Sequence, residues 1–230
     1  MTKRKLISTT FLRDLSNLPT AYFALVMATG IVSIASYNLN FIYIAKTLFY
    51  FNIEAYLFMN FLYILRVVLY PKNFMDDIKD LAKSPGFLTY VAGTCVLGTQ
   101  FVVIASNFAI ASILFYIGSI AWLILIYTVF TVFTVKKDKP PINKAISGVW
   151  LLIIVSFFAL AMFLCGCMFY IIIITLIVYR MSFFEMHAEE FAPAYWINMG
   201  AVAISTLAGS SIILSAHQWS FIGEITPFLK

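Results

Sequence analysis

The sequence predicts an all-α bundle of membrane-spanning helices, and three observations predict it. Of 230 residues, 63% are apolar and only 11% are charged. A water-soluble domain is about 45–50% apolar and about 25% charged, so no single core in a chain of this length hides the excess. The apolar residues also fall into runs of the length a bilayer demands, since a hydrocarbon core of about 30 Å takes about 20 helical residues to cross. Finally, Lys and Arg sit in short clusters between the runs. That placement belongs to membrane topology rather than to a nucleic-acid surface, despite the net charge of +5.

The elements follow in order. Residues 1–18 are polar and basic, so no cleavable signal peptide is expected before the first apolar run after Pro19. Spans are expected at 19–37, 41–69, 86–105, 108–135, 147–180 and 193–215. Breakers separate them: Asn38 and Asn40, the stretch YPKNFMDDIKDLAKSP read as a loop, Ser106-Asn107, KKDKPPINK, and the acidic segment EMHAEEFAP. The run 147–180 would reach about 51 Å as one helix, too long for one span without severe tilt. Split at Cys165-Gly166-Cys167 it gives two short spans, so the residues alone leave six or seven. Lys3, Arg4, Lys5 and Arg13 precede span one, Arg66, Lys72, Lys79 and Lys83 follow span two, and Lys136, Lys137, Lys139 and Lys144 follow span four. The connections at 38–40 and 105–108 carry neither Lys nor Arg. By the positive-inside rule the N-terminus and the loops at 70–85 and 136–146 are cytoplasmic.

The spans differ in texture. Span two carries nine Phe or Tyr and no Gly, a bulky surface suited to lipid. Span one has Thr29, Gly30 and Ser33, and span three has Thr89, Gly93, Thr94, Gly98 and Thr99. The last span has Ala201, Ser205 and Gly209 at four-residue spacing. Small residues on one stripe let helix backbones approach closely, and their hydroxyls can line a polar path. The expected arrangement is repeated hairpins with odd-numbered spans inside and bulky even-numbered spans outside. Packing is weighed above path from these residues alone. Candidate path-lining residues are Thr29, Gly30, Ser33, Gly93, Thr94, Gly98, Asn198, Ser205 and Gly209. Asn198 is placed at the cytoplasmic mouth, where its amide and helix N-terminal N–H groups suit an anion.

Other polar residues are read more plainly. Glu54 lies near the middle of span two, and an intramembrane acid is a functional candidate by default. On a bulky outer helix it is assigned to interhelical hydrogen bonding before substrate contact. Lys46 is two turns away and is expected to snorkel to the interface. His187 and His217 flank the last span on opposite sides, so they cannot share a metal or haem. Cys95, Cys165 and Cys167 form no disulfide framework. Cys165-Gly166-Cys167 is a weak metal signal and is read as a span-end turn. No nucleophile–base pair or phosphate loop stands out, so neither an enzyme nor a cofactor is expected.

Several segments resemble the tellurite-resistance/dicarboxylate transporter family, which includes malate permeases and plant slow anion channels. They are PTAYFALVMATGIVS (19–33), LRVVLYPKNFMDDIKDLAKSPGFLTYVAGTCVLGTQ (65–100), VWLL (149–152) and YWINMGAVAISTLAG (195–209). The resemblance implies ten helices as five hairpins around a central pore, with odd spans lining it, a homotrimeric assembly, and transport of small anions or C4-dicarboxylates in the cell membrane. It also implies that 147–180 is a contracted hairpin and that 19–230 is one transmembrane domain with about seven of the ten spans. FFALAMFL runs almost directly into CGCMFYIIII where the family carries a longer stretch, and Ile153-Ile154 stand where it often has a proline. The expectation is therefore a C-terminally truncated member that carries anions, malate-type or tellurite-type. The alternative is a non-transporting membrane subunit or degenerate member. The expected surroundings are the lipid bilayer and a small anion, with no nucleic acid.

Overall fold

The computed structural model describes residues 12–135, 150, 163–184, 200–203 and 205–206. The chain divides into two compact units, Met1–Asp138 and Lys139–Lys230. In the first, residues 12–16 are helical and are followed by α1 (Ala24–Asn38), α2 (Ile42–Leu69), α3 (Pro71–Lys79), α4 (Leu88–Val103) and α5 (Phe108–Val135). A 3-10 turn, Ser84–Phe87, leads into α4. In the second unit, α6 (Phe163–Phe183) is described together with helical residues at 200–203 and 205–206. Among the described residues there is no strand. Among the described residues, four helices are long and apolar enough to cross a membrane (α2, α4 with its 3-10 lead, α5 and α6), and α1 is a shorter apolar helix.

The breaks between spans have a backbone cause. Asn40 has φ 64° and Ser106 has φ 51°, the left-handed region that ends helices and that Asn tolerates better than most residues. Behind Asn40, the Phe41 N–H donates to Ser36 O at 2.9 Å and the Asn40 N–H to Tyr37 O at 3.0 Å. These two reverse bonds are a Schellman motif, which satisfies the last carbonyls of α1. At the second break, the Asn107 N–H donates to Phe101 O at 2.9 Å. The Asn107 side chain then accepts from the Ile110 N–H at 3.1 Å and caps α5.

Two sequence expectations are corrected here. The stretch after span two is not simply a loop. Pro71 occupies the first turn of α3, where its missing N–H costs nothing. Lys72, Asp76 and Lys79 are exposed while Phe74 and Ile78 are half-buried and Asp77 is buried, an amphipathic pattern. Cys165-Gly166-Cys167 is not a turn either. All three residues lie in the opening turns of α6, which runs unbroken to Phe183. One glycine costs only about 1 kcal/mol, less than leaving backbone groups unbonded in hydrocarbon, so it does not break such a helix. Residues 151–162, where a hairpin bend in 147–180 would fall, lie outside the described residues.

Packing in the first unit separates inner from outer helices. α4 runs along both α1 and α5, and α1 runs along α2. In the most apolar 18-residue window of each helix, 67% of residues are buried for α4 with its 3-10 lead, against 22% for α2 and 11% for α5. The outer faces of α2 and α5 leave Phe51, Phe58, Phe61, Ile113, Ile120 and Ile124 exposed. In water such a surface would drive aggregation, but in hydrocarbon it is the right surface. The core between the helices holds Phe23, Val26, Ala55, Tyr56, Leu97 and Leu114. Phe23 meets Tyr56, Tyr63 and Tyr90 at centroid separations of 5.9, 5.2 and 4.9 Å.

Candidate functional site

The site is built where α1, α2 and α4 meet. The buried residues of α1 are Val26, Met27, Gly30, Ser33 and Ile34, spaced as one face of a helix. Gly30 sits at the tightest point. A Cβ there would lie 2.4 Å from Val96 Cγ1, 3.0 Å from Asn52 Nδ2 and 3.1 Å from Gln100 Oε1. Hydrogen alone at that position lets α1 approach the other two helices. Gly93 does the same one level away, where a Cβ would meet Phe23 O at 3.2 Å.

The polar groups at this junction pair across helices. Asn52 of α2 donates through Nδ2 to Gln100 Oε1 of α4 at 2.6 Å, both side chains being fully buried. The remaining atoms of the pair, Asn52 Oδ1 and Gln100 Nε2, are buried without a protein partner. Thr94 Oγ1 donates to Tyr90 O at 2.7 Å, so the Tyr56 hydroxyl, 3.1 Å away, donates to Thr94. Ser33 Oγ donates to Ala45 O at 2.8 Å, tying α1 to the start of α2. In hydrocarbon an unsatisfied polar group costs several kcal/mol, so these bonds select one helix register.

A second polar cluster closes one end of the bundle. Arg66, in the last turn of α2, is 1% exposed. Its Nη2 donates to Asp77 Oδ2 of α3 and, at 3.1 Å, to Ser16 O. Lys83 Nζ reaches Asp77 Oδ1 at 2.8 Å, and Thr20 Oγ1 donates to Lys83 O at 2.8 Å. Arg66 and Lys83 thus share one carboxylate, and Ser16 and Thr20 join the N-terminal segment to the two cations. Burial pushes the Asp77 carboxyl up. The hydrogen bonds and positive charges of Lys83 and Arg66 together outweigh it and hold the group below the usual carboxylate value. The bond to Asp77 raises Lys83 in turn.

The sequence-predicted residues divide among these places. Gly30, Ser33, Gly93, Thr94 and Gly98 are all buried between helices, and a Cβ on Gly98 would sit 3.6 Å from Ala111 O. Thr29 is half-buried beside an exposed stripe of Leu25, Ala28, Val32 and Ala35 on α1. Ser205 donates to Val202 O at 2.7 Å within its own helix. Asn198, Gly209, His187 and His217 lie outside the described residues. Glu54 is exposed on α2 while Asn52, Ala55 and Tyr56 are buried, so it points away from the junction. Lys46 is exposed as well, and no ion pair joins it to Glu54. The sequence reading missed Asn52, Gln100 and the Arg66–Asp77–Lys83 cluster. Asn52 and Gln100 were detectable as amides inside apolar runs. The partnership of Arg66 with Asp77 depends on how α3 folds back and has no local signature.

Comparison with known proteins agrees with this architecture. The chain aligns with two uncharacterized transporters of Methanocaldococcus jannaschii. One is 27% identical, over 93% of this chain and 70% of the relative. The other is 24% identical, over 93% of this chain and 69% of the relative. The aligned length, 244 positions in both cases, exceeds the chain's 230 residues, so gap positions fall within this chain. The family model described as "Voltage-dependent anion channel" matches residues 17–162 and 156–226. The two matched segments overlap at 156–162, within the run 147–180. With a helical membrane architecture and a match along nearly its whole length, this chain is an integral membrane protein belonging to the voltage-dependent anion channel family.

Proposed function

We propose that this chain conducts small anions along a path bordered by α1 and α4, with C4-dicarboxylates or tellurite-type oxyanions as its substrates. Membership of an anion-channel family and the transporter relatives support the anion class. The observation that carries the geometry is the burial of α4, packed between α1 and α5, beside an α1 that keeps an open stripe. Gly30 and Gly93 let α1 and α4 approach closely, Gly98 packs α4 on α5, and Ser33 and Thr94 tie the inner pair to α2. Thr29 offers a hydroxyl to a passing ion, and Ala28 and Ala35 keep the exposed α1 stripe beside it partly small. Asn198, Ser205 and Gly209 are assigned to the same path from the far part of the chain. Such a path carries anions down their gradient and the membrane potential.

In this reading the chain sits in the cell membrane as one transporter domain, 19–230, in homotrimers, and acts without enzymatic chemistry. The N-terminus and α3 face the cytoplasm, in keeping with Lys72, Lys79 and Lys83 at that end.

The test is reconstitution into liposomes under a salt gradient. Expected is a reversal potential that follows chloride or malate and ignores replacement of potassium by sodium. Thr29→Val should lower flux several-fold, and Glu54→Gln should leave it unchanged. A potential that follows the cation would overturn the proposal. Absence of flux at every gradient would instead favour a non-transporting subunit.

A further inference from the structure

α2 and α5 each pack on the inner helices and leave a groove of about 400 Å³ between them. Ile64 and Val68 of α2 form one wall, and Ala121 and Ile124 of α5 form the other. Phe23 and Tyr90 line it beneath, and Phe74 of α3 lines it from the amphipathic helix. The polar side chains at its edge are already engaged: Tyr63 donates to Pro19 O at 2.6 Å, Asn60 to Tyr56 O at 2.8 Å, and Thr20 to Lys83 O. Each already makes a hydrogen bond inside the protein. Ile64, Val68 and Ile124, each at least 60% exposed, continue the groove onto the outer faces of the two spans.

From this geometry we infer that the groove holds one acyl chain of a bilayer phospholipid, recognised by its hydrocarbon and not by its headgroup. Two points on the structure select that occupant. The groove opens along membrane-spanning helices, so hydrocarbon is the medium that reaches it. Its lining is apolar, so water gains nothing there. At roughly 30 Å³ for each water-sized group, the same space holds on the order of a dozen methylenes. Transfer from bulk lipid brings no hydrophobic gain. The driving force is dispersion contact with the aromatic lining, which an empty groove would forfeit. The chain then acts as a wedge between the two outer helices.

Native mass spectrometry of the whole protein, purified in mild detergent, tests this. The expected result is a 26.0 kDa chain carrying one phospholipid, retained equally with phosphatidylglycerol and phosphatidylcholine. Ala121→Trp fills the groove and should remove the adduct, and Val67→Phe provides a second filling variant should the first fail to fold. Ile113→Trp, exposed elsewhere on α5, should retain it. Loss in Ile113→Trp as well would identify ordinary annular lipid and overturn the proposal. So would an adduct unchanged in both groove variants, retention of the anionic lipid alone, or a lipid-free dimer that Ala121→Trp dissociates.

Discussion

Gly30 shows how one atom decides the helix junction. Alanine there would drive a methyl to within 2.4 Å of Val96 Cγ1, and a β-branched side chain has little rotamer freedom to yield. Gly30→Ala should therefore cost about 1–3 kcal/mol, read as a lower thermal midpoint in detergent. Val96→Ala should restore part of that loss, and a double-mutant cycle measures the coupling. The neighbouring amides give a second residue-scale prediction. Asn52→Leu leaves the fully buried Gln100 without its bond, at a cost of about 1–2 kcal/mol. Adding Gln100→Leu should recover most of the loss, because removing both partners leaves no orphan. A double variant no more stable than the single would refute a pairwise role for the amides.

At the scale of elements, the ends of helices carry the consequences. Asn40 holds φ 64° behind α1. Asn40→Gly should be neutral or stabilising, and Asn40→Val should cost about 1–2 kcal/mol, since a branched side chain resists the left-handed region. Chemical denaturation of the two variants in mixed micelles would check the difference. α3 is held to the end of α2 by Arg66 and Asp77. Asp77→Ala leaves the Arg66 guanidinium, 1% exposed, without its counter-charge, and should cost about 3 kcal/mol. The pH dependence has a definite sign. A folded-state carboxyl held below its usual value adds stability that is complete above the unfolded value of about 3.9. That stability is lost as pH falls through the lower folded value. Lys83, raised by the same contact, contributes below its unfolded value and loses that contribution as pH rises through the higher folded one. Protease accessibility around α3 should therefore rise in acid below about pH 4 in the native chain, and at neutral pH in Asp77→Ala.

For the whole molecule, the positive-inside reading makes a topological prediction. Lys79 and Lys139 should be labelled from the same side of a sealed vesicle by a membrane-impermeant amine reagent, and labelling from opposite sides would reverse the arrangement. Much of the architecture was legible because bilayer thickness and hydrocarbon impose long-range order on composition. Apolar runs had to be helices, basic clusters had to lie between them, and Asn38–Asn40 and Ser106-Asn107 had to be breaks. Texture also separated bulky α2 from small-faced α4, because only small residues let backbones touch. The sequence by itself therefore determined the class of fold, the solvent around it and the approximate places where the described chain leaves the membrane. Tertiary structure alone decided which buried polar groups meet: Asn52 with Gln100 across 48 residues, and Arg66 with Asp77 through a helix read as loop. Periodicity reports the face a residue occupies on its own helix. Partner choice depends on the rotation and register of a second helix, which close packing at Gly30 and Gly93 selects only once the chain has folded.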